Sequence, residues 1–162
     1  MYITIDGKTL SVELVDNAAT QTLVAALQEG DITYAAHDYG GFEKVGALGR
    51  SLPTSDTQTT TQAGDVILYN GNQIVLFYGS NSWSYTRLGH MEYSSQAELE
   101  SFLKAGQGNV TVKLSLSSGA TAINGTRSTS AVDGAYYSLN GQRVEHPTKG
   151  LFIRNGKKVI IL

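Results

Sequence analysis

His37, Asp38, Glu43 and Lys44 form the densest group of ionisable side chains in this sequence. A histidine beside a carboxylate can act as a general base with its orienting group, and a glutamate close by can serve as the acid. The plainer reading gives Asp38 and Glu43 a structural task. They would accept backbone amide hydrogen bonds and anchor a loop that bends at Gly40-Gly41. Adjacent residues on a strand also point to opposite faces, which would part His37 from Asp38.

A second group surrounds the small-residue loop Gly79 to Ser84: Tyr78, Trp83, Tyr85 and Arg87. Trp83 is the only tryptophan. Aromatic side chains line ligand and peptide grooves because they offer large contact area at low entropic cost. The alternative is packing, with Tyr78 and Tyr85 in a barrel wall and Trp83 as a loop plug. Arg87 is expected to pair with Asp38 or Glu43 across the mouth of that barrel. The remaining chemistry is thin. His37, His90 and His146 lie far apart without metal-ligand spacing, so no metal site is expected. Gly40-Gly41 does not open a helix in a phosphate-binding frame. Ser51, Ser80 and Ser84 lack a nucleophile-elbow context. No cofactor is implied.

The composition sets outer bounds. Hydrophobic residues make up 41% of the 162 and charged residues 16%, enough for one ordinary domain with a real core. A net charge of −2 argues against a nucleic-acid module, which needs a concentrated basic face. With no cysteine, disulfides and thiolate metal sites are excluded. No apolar run approaches the roughly 20 residues that span a bilayer as a helix.

The elements that must position these groups are mostly strands. Tyr2 to Ile5 and Thr9 to Val15 flank an Asp6-Gly7 turn. Asp16 or Asn17 caps a helix carrying Leu23, Val24 and Leu27 on one face, with Gly30 as its left-handed stop. Ile32 to Ala36 is a strand, and 37–61 reads as a long irregular loop, a place where function often sits. Val66 to Tyr69 and Ile74 to Tyr78 form the central hairpin around Asn70-Gly71. The second run is apolar at almost every position, which suits a strand covered on both faces or lining a closed barrel. Tyr85 to Met91 follows. Ser94 or Ser95 then caps a helix with Leu99, Phe102 and Leu103 buried. Gly106 and Gly108 end that helix, and Val110 to Leu116 alternates as a strand.

Composition shifts after Ser118. Residues 119–134 are small and polar, a flexible linker by composition. Residues 135–162 read as a small β tail, with Asn140-Gly141 and Asn155-Gly156 as hairpin signals. Residues 1–118 hold twelve acidic against six basic side chains. From residue 133 onward, Arg143, Lys149, Arg154, Lys157 and Lys158 stand against Asp133 and Glu145. Opposite signs make docking of tail on body an expectation.

The motifs DYGG-E-K and AGD-(apolar)-LFYG-(short loop)-SYTR-G resemble a bacterial family of cyclophilin-like domains. The residues that carry this include Asp38 to Gly41, Glu43, Lys44, Gly64, Asp65, Phe77 to Gly79, Ser84 to Arg87 and Gly89. The resemblance covers the first two-thirds of the chain. It implies a mainly β protein with two helices, a closed cyclophilin-like barrel (1–118) ahead of the tail, and it transfers a fold rather than a reaction. The segment from Tyr136 to Val159 resembles the end of the C-terminal sorting tails of exported Bacteroidetes-type proteins. That implies an exported protein, periplasmic, surface-bound or secreted, and a tail that contacts the barrel or an export apparatus. No signal-peptide pattern opens the chain, so the export reading implies a leader already removed.

Three functions follow as expectations. The first is a domain that binds a small ligand or peptide at the barrel mouth, through His37, Asp38, Tyr39, Glu43, Lys44, Tyr78, Trp83, Tyr85 and Arg87. The second is a peptidyl-prolyl isomerase, with Arg87 aimed at the prolyl nitrogen beside Phe77 or Trp83. The Phe-His-x-x-Arg-type signature of true cyclophilins is missing, and fold alone does not carry function. The third is a structural or interaction domain of the cell envelope.

Overall fold

The computed structural model describes residues 1–119 and, beyond them, the strands Tyr136–Tyr137, Arg143–Val144, Gly150–Arg154 and Lys157–Ile161. In chain order the first part runs β1 (Tyr2–Ile5), β2 (Lys8–Leu14), α1 (Ala18–Glu29), β3 (Ile32–Tyr39), β4 (Glu43–Ala47), β5 (Thr57–Thr60), β6 (Asp65–Tyr69), β7 (Gln73–Phe77), β8 (Ser82–Met91), α2 (Gln96–Leu103) and β9 (Val110–Ser115). Two tight turns set the pairing of neighbours. Asp6 and Gly7 take φ of 48° and 76°, and Asn70 and Gly71 take 50° and 71°. Asp, Asn and Gly reach that left-handed region at low cost. Every pairing is antiparallel, in the order β2-β1-β9-β3-β4-β7-β6-β8. β8 pairs back onto β2 with Val12 opposite Met91 and Leu14 opposite Gly89, which closes an eight-stranded barrel. Closure removes the free edges an open sheet would leave.

The central hairpin is buried on both faces, which explains its nearly unbroken apolar sequence. Val66, Leu68, Ile74 and Leu76 point into the barrel and join a core with Ile3, Val12, Leu88 and Val112. Their alternates Ile67, Val75 and Phe77 point outward and form a second cluster with Val45 and Tyr85. Both helices contribute to the inner core, α1 through Leu23 and Leu27, α2 through Leu99, Phe102 and Leu103.

The helix starts follow their caps. Asn17 Oδ1 accepts from the Thr20 amide at 2.9 Å, and Thr20 Oγ1 accepts from the Asn17 amide at 3.1 Å. Ser95 Oγ accepts from the Glu98 amide. The helix ends differ from expectation. Gly30 is extended, with φ 161° and ψ 165°, because the chain passes directly into β3 rather than turning back. Lys104, not a glycine, takes the left-handed position after α2, with φ 52°. Gly106 and Gly108 follow it in the next loop, also at positive φ.

The segment 37–61 is not one long loop. β3 continues through Tyr39, the chain turns at Gly40-Gly41, and β4 and β5 follow. The periodicity is hidden because Glu43 and Lys44 are buried, so charged residues occupy positions where an apolar pattern would be sought. Only the stretch 48–56 is irregular, and it is pinned. The Leu48 and Leu52 amides donate to the carbonyls of Asn72 and Gly71. The Ser55 amide donates to Thr86 Oγ1, which donates in turn to Asp56.

The chain divides into two compact units, Met1–Ala120 and Thr121–Leu162. The second contains β10 (Tyr136–Tyr137), β11 (Arg143–Val144), β12 (Gly150–Arg154) and β13 (Lys157–Ile161) in a four-stranded antiparallel sheet of order β11-β10-β12-β13. Arg154 pairs with Lys157, and Gly150 with Ile161. Residues 120–134 of the linker, residue 135, and the turns at 140–141 and 155–156 lie outside the described residues. No helix among the described residues is long and apolar enough to cross a membrane.

Candidate functional site

The outward faces of β3, β4, β7 and β6 form the floor of a groove of about 690 Å³. It lies on the outer wall of the barrel, not at its mouth. Val75 and Tyr85 line it and belong to the outer apolar cluster, whereas the next residues, Leu76 and Thr86, are buried on the other side of their strands. One wall is built by the length of β8. Residues between Thr86 and His90 pair with β6 in the barrel, with Thr86 opposite Leu68 and His90 opposite Asp65. Ser82 to Tyr85 leave that partner and pair with β5 instead, Trp83 opposite Thr59. This two-stranded ribbon carries Trp83 to the groove, where it stays 57% exposed. The turn before it is held by Thr61, whose hydroxyl donates to the Asn81 carbonyl and accepts from the Asn81 amide.

Aromatic rings run in sequence beneath and beside the groove. Tyr39 meets Phe42 edge-on at 6.4 Å, Phe42 stacks on Phe77 at 6.2 Å, Phe77 meets Tyr85 at 5.9 Å, and Tyr85 meets Tyr69 at 6.1 Å. Offset and edge-to-face pairs each add about 0.5–1.5 kcal/mol beyond their buried area. Tyr85 Oη accepts from Asn81 Nδ2 at 3.0 Å. Burial raises the Tyr85 hydroxyl above its ordinary pKa, against the lowering effect of that hydrogen bond.

Glu43 lines this groove and is 7% exposed. It stands opposite Tyr39 on β3 and Phe77 on β7, so its carboxylate sits among rings. Its Oε2 has no hydrogen-bond partner among the described residues. Burial pushes its pKa up to about 7, because an apolar setting disfavours the charged form.

His37 and Asp38 part to opposite faces, as the alternation of a strand requires, so the general-base pairing is not formed. His37 faces the groove. Asp38, one residue on, faces the opposite side and accepts from Lys44 Nζ at 2.7 Å, Tyr78 Oη at 3.0 Å, and the amides of Gly106 and Gly108 at 3.2 and 3.0 Å. Burial alone would raise the Asp38 pKa, but these four donors outweigh it and hold the carboxyl below its ordinary value. Burial, then the Asp38 hydrogen bond and charge, push the Tyr78 hydroxyl up to about 12. Lys44 Nζ also donates to the Gly108 carbonyl at 2.6 Å. This cluster ties β3, β4 and the β7–β8 turn to the loop after α2. Asp38 therefore does anchor backbone amides, as the plainer reading expects; Glu43, left without a partner on Oε2, does not share that role.

Arg87 is not where it was expected. It pairs with Asp65 at 2.6 Å, and His90 Nδ1 lies 3.1 Å from the same Asp65 oxygen. The cause is a bulge. The register between β6 and β8 shifts at Val66/Ile67, placing one extra residue in β8. Arg87 and His90, three residues apart, then reach one carboxylate. Asp65 is wholly buried, and Arg87 is absent from the groove lining. The arginine that an isomerase-like constellation requires is thus committed elsewhere.

Of the nine candidates, the groove brings together His37, Tyr39, Glu43, Trp83 and Tyr85. Asp38, Lys44 and Tyr78 form the cluster on the other face, and Arg87 stands apart. Sequence reasoning missed Tyr69, Gln73 and Asn81 in the lining. Tyr69 and Gln73 flank the Asn70-Gly71 turn and share the outward parity of Ile67 and Val75, a signal that was available. Among the described residues no three His, Asp or Glu side chains gather as a metal site.

The sequence pattern of the cyclophilin-like family matches residues 3–115. No curated protein matches the chain. Among solved structures, a hypothetical protein from Archaeoglobus fulgidus, determined in solution, is 19% identical with a TM-score of 0.54, over 72% of this chain and 92% of that one. At that identity the likeness concerns the fold alone.

Proposed function

The chain belongs to the cyclophilin-like family, and from that premise we propose that it is a binding domain that receives a small ligand or peptide in the groove on its outer wall. The observation that carries this reading is the groove itself: about 690 Å³, floored by aromatic rings, with a buried and unpartnered carboxylate. Pockets of this size, mostly apolar with a few placed polar groups, suit small-molecule recognition. Trp83, largely exposed on a ribbon, and Tyr39, 61% exposed, offer stacking surface that the fold itself leaves unused. Binding without catalysis is favoured, because Arg87, the residue an isomerase would aim at a prolyl nitrogen, is engaged by Asp65 and is not among the groove-lining residues.

Trp83 is the natural reporter, since no other tryptophan dilutes its signal. A fragment library screened by tryptophan fluorescence and amide chemical shifts should yield hits that perturb His37, Tyr39, Glu43, Trp83 and Tyr85 together. Hits confined to other surfaces, or none, would end the proposal. The exported placement is a separate part of the same proposal and rests on the tail resemblance. Fractionation of cells expressing the protein tests it, and material confined to the cytoplasm would sink it.

A further inference from the structure

The groove has a charge pattern of one sign. Among the described residues, none that lines it is a lysine or an arginine. Lys44 follows Glu43 in sequence, yet its side chain turns to the opposite face and is spent on Asp38 and Gly108. Among the described residues the Glu43 carboxylate therefore faces the groove without a cation of its own, and its Oε2 lacks a donor. A buried acceptor left without a donor costs free energy that an incoming donor removes. Around it stand Tyr39, Tyr69, Trp83 and Tyr85. Aromatic ring faces carry negative potential and attract ammonium and guanidinium groups. Carboxylate and rings thus select the same kind of partner, while an anion would meet repulsion from both.

We infer that the groove recognises an organic cation, a primary ammonium or guanidinium group on an apolar body, with Glu43 as the counter-ion and Trp83 and Tyr39 as stacking surfaces. This rests on the binding reading above and narrows it to one ligand class. The cation can come from a free amine or from a lysine or arginine side chain of a peptide; the chemistry at Glu43 is the same. The fold supports a preformed site. Glu43 is fixed by ladder pairing on both sides, to Tyr39 and to Phe77, and the ring beneath it is locked by the Phe42–Phe77 stack.

Binding should depend on pH. The titratable groups facing Glu43 are His37 and Tyr39 from β3, Tyr69 from β6 and Tyr85 from β8. A carboxyl that titrates near neutrality is an effective counter-ion only after it loses its proton. Protonation of Glu43 thus weakens binding as pH falls.

The test is a Trp83 fluorescence titration of the full chain with three probes: phenethylamine, its neutral analogue 2-phenylethanol, and a blocked Gly-Lys-Gly tripeptide. Phenethylamine should bind at least about tenfold more tightly than 2-phenylethanol, the factor expected from one charge-assisted hydrogen bond. E43Q should remove that preference and leave the alcohol's affinity within about twofold. In the unsubstituted protein, phenethylamine binding should tighten several-fold from about pH 5.5 to about pH 8, following the carboxyl's loss of its proton, while the alcohol's does not. This profile needs no variant to fold. If the tripeptide binds more tightly than the amine, a peptide side chain is the source; if less, a free amine is. Equal binding of amine and alcohol, with no effect of E43Q, overturns the cation inference and leaves the binding groove standing. No response to any probe, with fragment hits elsewhere, overturns both.

Discussion

Lys44 Nζ donates to Asp38 Oδ2 at 2.7 Å while the Lys44 side chain is wholly withdrawn from solvent and Asp38 keeps 19% exposure. The two partners are not equally replaceable. Asp38 retains Tyr78 Oη and two amides if the lysine is lost. Lys44 retains only the Gly108 carbonyl if the aspartate is lost. Asp38→Ala should therefore cost about 3–5 kcal/mol, the range for stranding a buried charge. Lys44→Met should cost at least about 2 kcal/mol less, since an apolar side chain of similar volume fills the space. Urea melts of both variants check this, and equal losses would contradict it.

Glu43 gives the protein a pH dependence of unusual sign for a carboxylate. Its pKa is raised from 4.5 to about 7 on folding, so the folded state binds the proton more tightly than the unfolded one. Stability from this group is fully present below about pH 4.5, falls as pH rises through about 7, and is flat above. E43Q removes the titration. Relative to the parent it should gain on the order of 1–2 kcal/mol at pH 8 over pH 5, a figure lowered from the full linkage value because the groove side meets solvent. Melts of both proteins at the two pH values decide it; parallel curves would show that Glu43 is already well solvated.

Phe77 is completely buried between Phe42 and Tyr85 on the outer wall. Phe77→Ala should cost about 3–5 kcal/mol, combining lost transfer energy with the cavity left behind. Chemical denaturation measures it. A loss below about 1 kcal/mol would mean that the outer cluster collapses freely around the gap.

A chain ending at Ser118 should melt as the full chain does. The barrel closes on itself through β2 and β8 and takes all of its strands from residues before that point. Calorimetry of the two chains tests this. Unfolding of the shortened chain would show that residues beyond 118 belong to the barrel's core.

Much of this protein could be read before any coordinate was known. The Asp6-Gly7 and Asn70-Gly71 turns, the two capped helices and the doubly apolar run Ile74 to Phe77 are local signals, and each reports on its own few residues. They suffice for the hairpins and the helices, while the closed barrel and the family were legible through the resemblance carried by such residues as Asp38 to Gly41 and Phe77 to Gly79. What tertiary structure alone decided is the company each side chain keeps. A strand's parity says that His37 and Asp38 part, but not which one meets Lys44. That depends on the register of β3 against β4 and on a loop some 70 residues away that brings the Gly106 and Gly108 amides to Asp38. One extra residue in β8 moved Arg87 from its expected partners to Asp65. The raised pKa of Glu43 is a desolvation effect, the sum of rings supplied by several strands, and no nearest neighbour in sequence encodes it. Local chemistry chose the elements. Register, a bulge and burial, all set by contacts distant in the chain, chose the groove.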